Sequence, residues 1–231
     1  MDALKAHFLK ALEADPDFPD AHFELGIIYF ESNELKDAVS HFQSAIEGHS
    51  SEAKRLVKRG EELLKKSQFQ HAKDQFLKSQ QQKDSCASAW YHLSKVFNKR
   101  GKIDKAVESL ENSIENNATT NAHRDLGILL LKVNKPDDAR FHLEKAIGLD
   151  YGDSLTHFYL GIALERDKDT AEAEQHYLAA LDINPMFTDC LINLAKLQHS
   201  LGKSEEANAT LSKARNLDQK RVDKELKKLP I

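Results

Sequence analysis

The sequence predicts an all-α chain, a superhelical solenoid of antiparallel helix hairpins, and three observations carry that prediction. Five prolines and nine scattered glycines are all that interrupt 231 residues, and no stretch alternates apolar and polar residues as a half-buried strand would. A motif recurs at an interval near 34 residues or twice that. Its copies are Leu25-Gly26, Leu93-Ser94, Leu126-Gly127, Leu160-Gly161 and Leu194-Ala195, with Gly60 where the double interval requires another. Finally, alanine stands twelve residues after each small residue, at Ala38, Ala72, Ala106, Ala139, Ala173 and Ala207.

Taken in chain order, Leu4, Phe8, Ala11 and Pro16 match the second half of a repeat, so residues 1–18 read as a half repeat or an N-terminal capping helix. Six repeats follow, starting at 19, 53, 87, 120, 154 and 188 and ending near 218. Four residues beyond each alanine comes a large apolar side chain, at Phe42, Phe76, Leu110, Leu143, Tyr177 and Leu211. Three further on comes a small one, at Ala45, Ser79, Ser113, Ala146, Ala180 and Ala214. Two antiparallel helices pack closely when each presents a small residue at the crossing and large ones beside it. Ser32-Asn33-Glu34, Lys99-Arg100-Gly101-Lys102 and Leu201-Gly202-Lys203 supply turns in which Asn or Gly can adopt the left-handed cap. The chain closes, over 219–231, on a charged helix whose stripe of Val222, Leu226 and Leu229 suits a cap over the last hairpin.

At these positions the sequence resembles the tetratricopeptide repeat (TPR) family, whose pattern W-x2-L-G-x2-Y is followed by Ala, a large residue and Ala, with Pro at the boundary. Trp90-Tyr91-His92-Leu93-Ser94 with Phe97, and His22-Phe23-Glu24-Leu25-Gly26 with Tyr29, carry its first half, and Pro185 holds the boundary. Arg59 stands where repeat two should have Leu, and Gln198 replaces the aromatic of the last repeat. The resemblance implies a TPR array acting as a protein-protein interaction scaffold. It also implies exclusions. The clamp that holds acidic chaperone tails needs Lys/Asn, Asn and Lys/Arg over three consecutive repeats, which Val57, Glu61, His92, Asn121 and Asp125 do not supply. The asparagine ladder of the O-linked N-acetylglucosamine transferase superhelix is matched only at Asn193.

Composition narrows the chemistry. With 33 Lys and Arg against 37 Asp and Glu, the net charge of −4 gives no general pull toward nucleic acid or anionic lipid. No apolar run is long enough to insert in a membrane, and no secretory signal opens the chain, so a cytoplasmic location is expected. Cys86 and Cys190 show no zinc-type spacing and read as free thiols. Six of the eleven histidines fall at equivalent repeat positions, His22, His123 and His157 at one and His41, His142 and His176 at another, and no i, i+4 pair or HExxH occurs. They read as structural or solvent-facing, and no metal or cofactor is expected. Glycine-rich phosphate loops, a GxSxG elbow and paired carboxylates are missing, so the chain reads as non-enzymatic.

The family places ligand contacts along the first helix of each repeat, lining a concave face. Here that face is expected to present Phe23, Ile27, Phe30, Val57, Leu64, Tyr91, Ile128, Leu131, Leu155, Phe158, Ile162 and Ile192, flanked by Lys95, Lys99, Arg124, Lys132, Arg166 and Lys196. Within it, Phe23, Ile27, Tyr91, Lys95, Arg124, Ile128, Phe158, Ile162, Ile192 and Lys196 form the expected peptide-binding set. An apolar, partly basic groove suits an acidic-hydrophobic peptide or amphipathic helix. Two other readings are a substrate-recruiting or regulatory segment of a larger enzyme and a self-assembling structural scaffold.

Overall fold

A computed structural model describes residues 2–65 and 69–226, with backbone alone for residues 2, 60, 61, 63–65, 69–77 and 226. Among the described residues every regular element is a helix. In order these are α1 (Asp2–Ala14), α2 (Pro19–Glu31), α3 (Leu35–Lys65), α4 (Phe69–Lys99), α5 (Ile103–Asn116), α6 (Thr120–Lys132), α7 (Pro136–Leu149), α8 (Ser154–Arg166), α9 (Thr170–Ile183), α10 (Thr188–Ser200) and α11 (Ser204–Leu226). Packing runs between sequence neighbours. In a first unit, Met1–Ala122, α1 lies on α2, α2 on α3, α3 on α4 and α4 on α5. In a second, His123–Ile231, α7 lies on α8, α8 on α9, α9 on α10 and α10 on α11.

The repeated small and large residues meet at the helix crossings. Leu25, Leu93, Leu126, Leu160 and Leu194 are buried, as are Ala38, Ala106, Ala139, Ala173 and Ala207 on the partner helices. A Cβ built on Gly26 would lie 2.7 Å from Phe42 Cε1, one on Gly127 2.6 Å from Leu143 Cγ, and one on Gly161 2.6 Å from Tyr177 Cε1. The small residue is therefore a requirement of close approach rather than a tolerated substitution. Where the later small position is serine, its hydroxyl finds a carbonyl across the hairpin: Ser79 Oγ donates to Ala53 O at 3.2 Å and Ser113 Oγ to Ala87 O at 2.9 Å.

Each described turn within a hairpin closes in the same way, on one residue in the left-handed region. These are Asn33 (φ 63°), Gly101 (70°), Asn134 (59°), Lys168 (66°) and Gly202 (77°). The next residue's N–H returns five residues, to Tyr29, Phe97, Leu130, Leu164 and Gln198, at 2.8–2.9 Å, satisfying a carbonyl that the helix end leaves open. Asn and Gly suit this conformation, whereas a lysine there is strained.

Between hairpins the chain needs a different break, and the helix starts coincide with only some of the expected repeat starts. α2, α6, α8 and α10 begin at Pro19, Thr120, Ser154 and Thr188, but the expected starts at 53 and 87 lie inside α3 and α4. Asp15-Pro16-Asp17-Phe18, Asn117-Ala118-Thr119, Asp150-Tyr151-Gly152-Asp153 and Asn184-Pro185-Met186-Phe187 stop a helix with proline, glycine or turn-forming Asx residues. His49-Ser50-Ser51-Glu52 and Lys83-Asp84-Ser85-Cys86 hold no proline or glycine, and helix propagates through both. The result is two 31-residue helices, each about 46 Å long. Because α3 runs straight on, residues 53–65 cannot fold back on the first hairpin. Their place is taken by the last part of α4: His92 stacks on Phe42 of α3 at 5.8 Å and meets Phe23 of α2 edge-on at 5.5 Å. Gly60 lies within α3. The side chains of Leu64, Ala72, Phe76 and Leu226, and all of Leu229, lie outside the described residues.

At the other end α11 bends at Asp218 (φ −151°, ψ 84°), whose carboxylate accepts from Arg221 N at 2.9 Å and starts a new helical segment. That segment lays Val222 into a cluster with Leu191, Ile192 and Ala214.

Two substitutions should move stability in opposite directions in one thermal or urea unfolding series. Lys168→Gly relieves the left-handed lysine and should stabilise by about 1 kcal/mol. Gly161→Ala gains helix propensity but drives a methyl into the Tyr177 ring, and should destabilise by about 1–2 kcal/mol.

Candidate functional site

In the first unit α2 and the C-terminal part of α4 lie side by side. Phe23, Ile27 and Phe30 on α2 and Tyr91 on α4 are each partly exposed. Lysines close over this aromatic surface: Lys95 Nζ sits 4.4 Å from the Tyr91 ring centre and Lys99 Nζ 5.1 Å from that of Phe30. Such contacts orient an ammonium without neutralising it. Among the described residues no carboxylate lies within ion-pair distance of either lysine. Beneath them His92, packed between Phe23, Phe42 and Tyr91, has its pKa pushed down to about 4, by burial first and by Lys95 second, so it is neutral at pH 7.

The second unit treats its charges differently. Arg124 donates to Asp153 at 2.8 Å and to Asp125 at 3.3 Å, Lys196 lies 3.9 Å from Glu225, and Arg221 donates to Asp189 at 2.6 Å. Arg166 spends an N–H on the Leu131 carbonyl. Asp153 also accepts from Leu155 N and the Thr156 hydroxyl; burial opposes its ionisation, but the bonds from Thr156 and Arg124 win and hold it below the usual carboxylate range. An open pocket of about 420 Å³ remains, lined by Ile162, Glu165, Arg166, Asn193 and Lys196. Glu165 is engaged there, accepting from Tyr177 Oη at 2.8 Å.

Of the expected binding set, Phe23, Ile27, Tyr91 and Lys95 share one surface of the first unit. Arg124, Ile128, Ile162 and Lys196 keep partial exposure in the second. Phe158 and Ile192 do not belong to a surface. Phe158 is 7% exposed, with ring centres 4.8 Å from Phe187 and 6.0 Å from Tyr177; Ile192 is 2% exposed beneath Val222. Leu131 is buried as well. Phe158 and Ile192 therefore leave the expected peptide-binding set, because the following loop and the terminal segment cover them.

Six of the histidines meet in pairs across the hairpins, an arrangement not drawn from their equivalent positions in the sequence. His22 and His41, His123 and His142, and His157 and His176 join through Nδ1···Nδ1 contacts of 2.8, 3.0 and 3.0 Å, each pair nineteen residues apart across one hairpin. In two pairs the tautomer follows from a carbonyl. His22 Nε2 donates to Pro16 O at 2.9 Å and His157 Nε2 to Tyr151 O at 3.1 Å, so each Nδ1 must accept from its neutral partner. Burial depresses the pKa of His41, His123, His142, His157 and His176, and the paired ring adds to this for His41, His123 and His176. The recurrent interval of nineteen residues was the available signal. Among the described residues no group of three His, Cys, Asp or Glu side chains is placed to hold a metal.

Tetratricopeptide repeat family models match residues 7–40, 87–120, 124–185 and 164–229. The chain belongs to the tetratricopeptide repeat family. A curated relative, the type IV pilus assembly protein PilF of Pseudomonas aeruginosa, is 22% identical over 173 residues, covering 75% of this chain and 56% of its own length; the chain thus spans little more than half of that relative. Among solved structures, YrrB, described as a TPR protein with an unusual peptide-binding site, superposes with a TM-score of 0.70 at 20% identity, over 96% of this chain and 98% of its own. The MamA protein does so with a TM-score of 0.64 at 15% identity, over 92% and 97%. These likenesses establish the TPR fold. No described helix is long and apolar enough to cross a membrane.

Phe158→Ala should cost about 3–5 kcal/mol in urea unfolding, the penalty of truncating a core aromatic, where an exposed anchor would cost little. Acidification should also weaken the fold. The fold depresses these histidine pKa values below 6.5, so the unfolded chain takes up protons first; stability is full above pH 6.5 and falls as pH drops toward 4. For His92 alone the loss is on the order of 2–3 kcal/mol, and His92→Gln should flatten that part of the pH profile.

Proposed function

We propose that this TPR protein is a non-enzymatic scaffold whose first unit binds an acidic-hydrophobic peptide or amphipathic helix across α2 and α4. The observation that carries this reading is the pair of ammonium groups, Lys95 and Lys99, held over the Tyr91 and Phe30 rings with no carboxylate among the described residues to neutralise them. Aromatic surface supplies area for an apolar anchor, and lysines one turn apart supply charge to acidic residues beside it. The corresponding cations of the second unit are engaged with Asp125, Asp153 and Glu225, so they have less to offer a partner. YrrB's description as peptide-binding agrees with this class of role.

Affinity capture with the intact chain, followed by calorimetry on the purified partner, tests the reading. Lys95→Glu with Lys99→Glu should weaken binding at least tenfold, about 1.4 kcal/mol, and the wild-type affinity should fall as salt rises. Tyr91→Ala should weaken it by about 1–3 kcal/mol. Binding that survives all three substitutions would remove the α2–α4 surface from consideration.

A further inference from the structure

Because α3 and α4 run on as long helices, their shared hairpin has a cleft at its root. The cleft is about 440 Å³, within the range of ligand sites, and is lined from α3, α4 and the end of α5. Its floor is apolar: Ala53 and Cys86 are buried and Val57 partly so, and burial pushes the Cys86 thiol upward, keeping it neutral. Its walls carry Lys54, Lys58 and Lys83, all exposed, and no carboxylate lines it. Among the described residues no acidic group pairs with any of the three. Nearby Arg55, on another side of α3, shows the contrast, since Glu52 holds it through two hydrogen bonds of 2.7 and 2.6 Å.

We propose that this cleft is a second docking site, taking an acidic peptide segment from a partner protein with one apolar side chain set on the Ala53, Val57 and Cys86 floor. The proposal rests on the reading of the chain as a peptide-binding scaffold. Charge complementarity selects the occupant: three ammonium groups with no acidic partner among the described residues gather in a chain whose net charge is −4. Spacing selects a peptide over a small anion, because Lys54 and Lys58 stand one turn apart, about 6 Å along α3, and match carboxylates one turn apart on a helical segment. Gln82 adds a donor at the rim. Its carbonyl accepts from His49 Nδ1 at 2.7 Å, which leaves the amide N–H2 as the group it can offer. An adjoining cleft of about 600 Å³, which shares His49 and Gln82, has the reverse character: Asp17, Asp20, Glu47 and Glu52 line it, with Arg55 held by Glu52. The site is also distinct from the α2–α4 surface: Cys86 and Lys95 are nine residues apart on α4, which at 100° per residue puts them on about opposite sides of the helix.

The test uses the full chain carrying Lys95→Glu and Lys99→Glu, so that the α2–α4 surface is silent, and a fluorescein-labelled helical 18-mer with Glu at i, i+4 and Leu between. Fluorescence anisotropy should show saturable binding that weakens with salt. Adding Lys54→Glu and Lys58→Glu should weaken it at least tenfold with the circular dichroism spectrum unchanged, and Lys83→Glu alone should weaken it by a smaller factor. A peptide with Ser in place of Leu should bind at least tenfold more weakly, and the Lys/Leu counterpart not at all. The proposal is overturned by absence of binding, by binding indifferent to the charge reversals, or by a Ser peptide that binds equally. It is likewise overturned if pyrophosphate competes where sulfate at equal ionic strength does not, which marks a small-anion site. A change in light-scattering mass on reversal of Lys54 and Lys58 marks a second copy as the occupant and overturns it too. Failure of the α2–α4 reading is seen separately, as partner binding that Lys95→Glu with Lys99→Glu leaves intact in the otherwise wild-type chain.

Discussion

Two helices of a hairpin can approach only as closely as their bulkiest facing side chains permit, and most of this molecule follows from how that limit is met. Gly26 admits Phe42, Gly127 admits Leu143 and Gly161 admits Tyr177, each through a gap that a single Cβ would close. Close approach lets the large residue be buried completely and fixes the rotation of both helices. With rotation fixed, every other pair at a constant offset is carried into register. Hence the three histidine pairs recur at one interval with nearly equal Nδ1 separations. Five turns can also close on a single left-handed residue at the same step of the hairpin.

What the crossing does not fix is where one hairpin hands over to the next. That depends on local breakers, and the chain provides them unevenly. Where Asn117-Ala118-Thr119, Asp150-Tyr151-Gly152-Asp153 or Asn184-Pro185-Met186-Phe187 intervene, the backbone leaves the helix and the following hairpin can stack. Where His49-Ser50-Ser51-Glu52 and Lys83-Asp84-Ser85-Cys86 intervene, no proline or glycine interrupts the backbone, and each residue that stays helical gains a backbone hydrogen bond. The 53–86 hairpin keeps its own internal packing, as the Ser79 to Ala53 bond shows, but is carried off on the ends of α3 and α4. His92 then fills the position beside Phe23 and Phe42. A local failure to break thus creates both the α2–α4 surface and the clefts at the hairpin root.

The hairpin grammar was legible because it is a short-range pattern with a steric cause: small at one offset, large four residues on, small again. The fused helices were legible only in part. Repeat register alone predicts a boundary at 53 and 87, and the contrary signal lies in turn residues that are missing rather than in any that are present. The candidate surface was least legible. Periodicity says which face of α8 holds Phe158 and which face of α10 holds Ile192, but not what comes to rest on that face. Phe187, 29 residues after Phe158, and Val222, 30 after Ile192, do the covering, and only the path of the chain brings them there.

Charge shows the same division between pattern and placement. The sequence puts basic residues at comparable helix positions, Lys95 and Lys99 on α4, Arg124 on α6 and Lys196 on α10, and counting alone treats them as equivalent. Their surroundings separate them. Asp153, fixed as the cap of α8, holds Arg124, and Glu225, delivered by the bend at Asp218, holds Lys196. Lys95 and Lys99 meet aromatic faces instead, which stabilise an ammonium without cancelling its field. An ion pair exposed to water contributes little stability, yet it removes most of the attraction that its cation could exert on a third group. The second unit therefore gives up binding potential, whereas the first keeps its cations available. That difference, set by two caps and two aromatic rings, underlies the proposed attraction of the α2–α4 surface for an acidic partner.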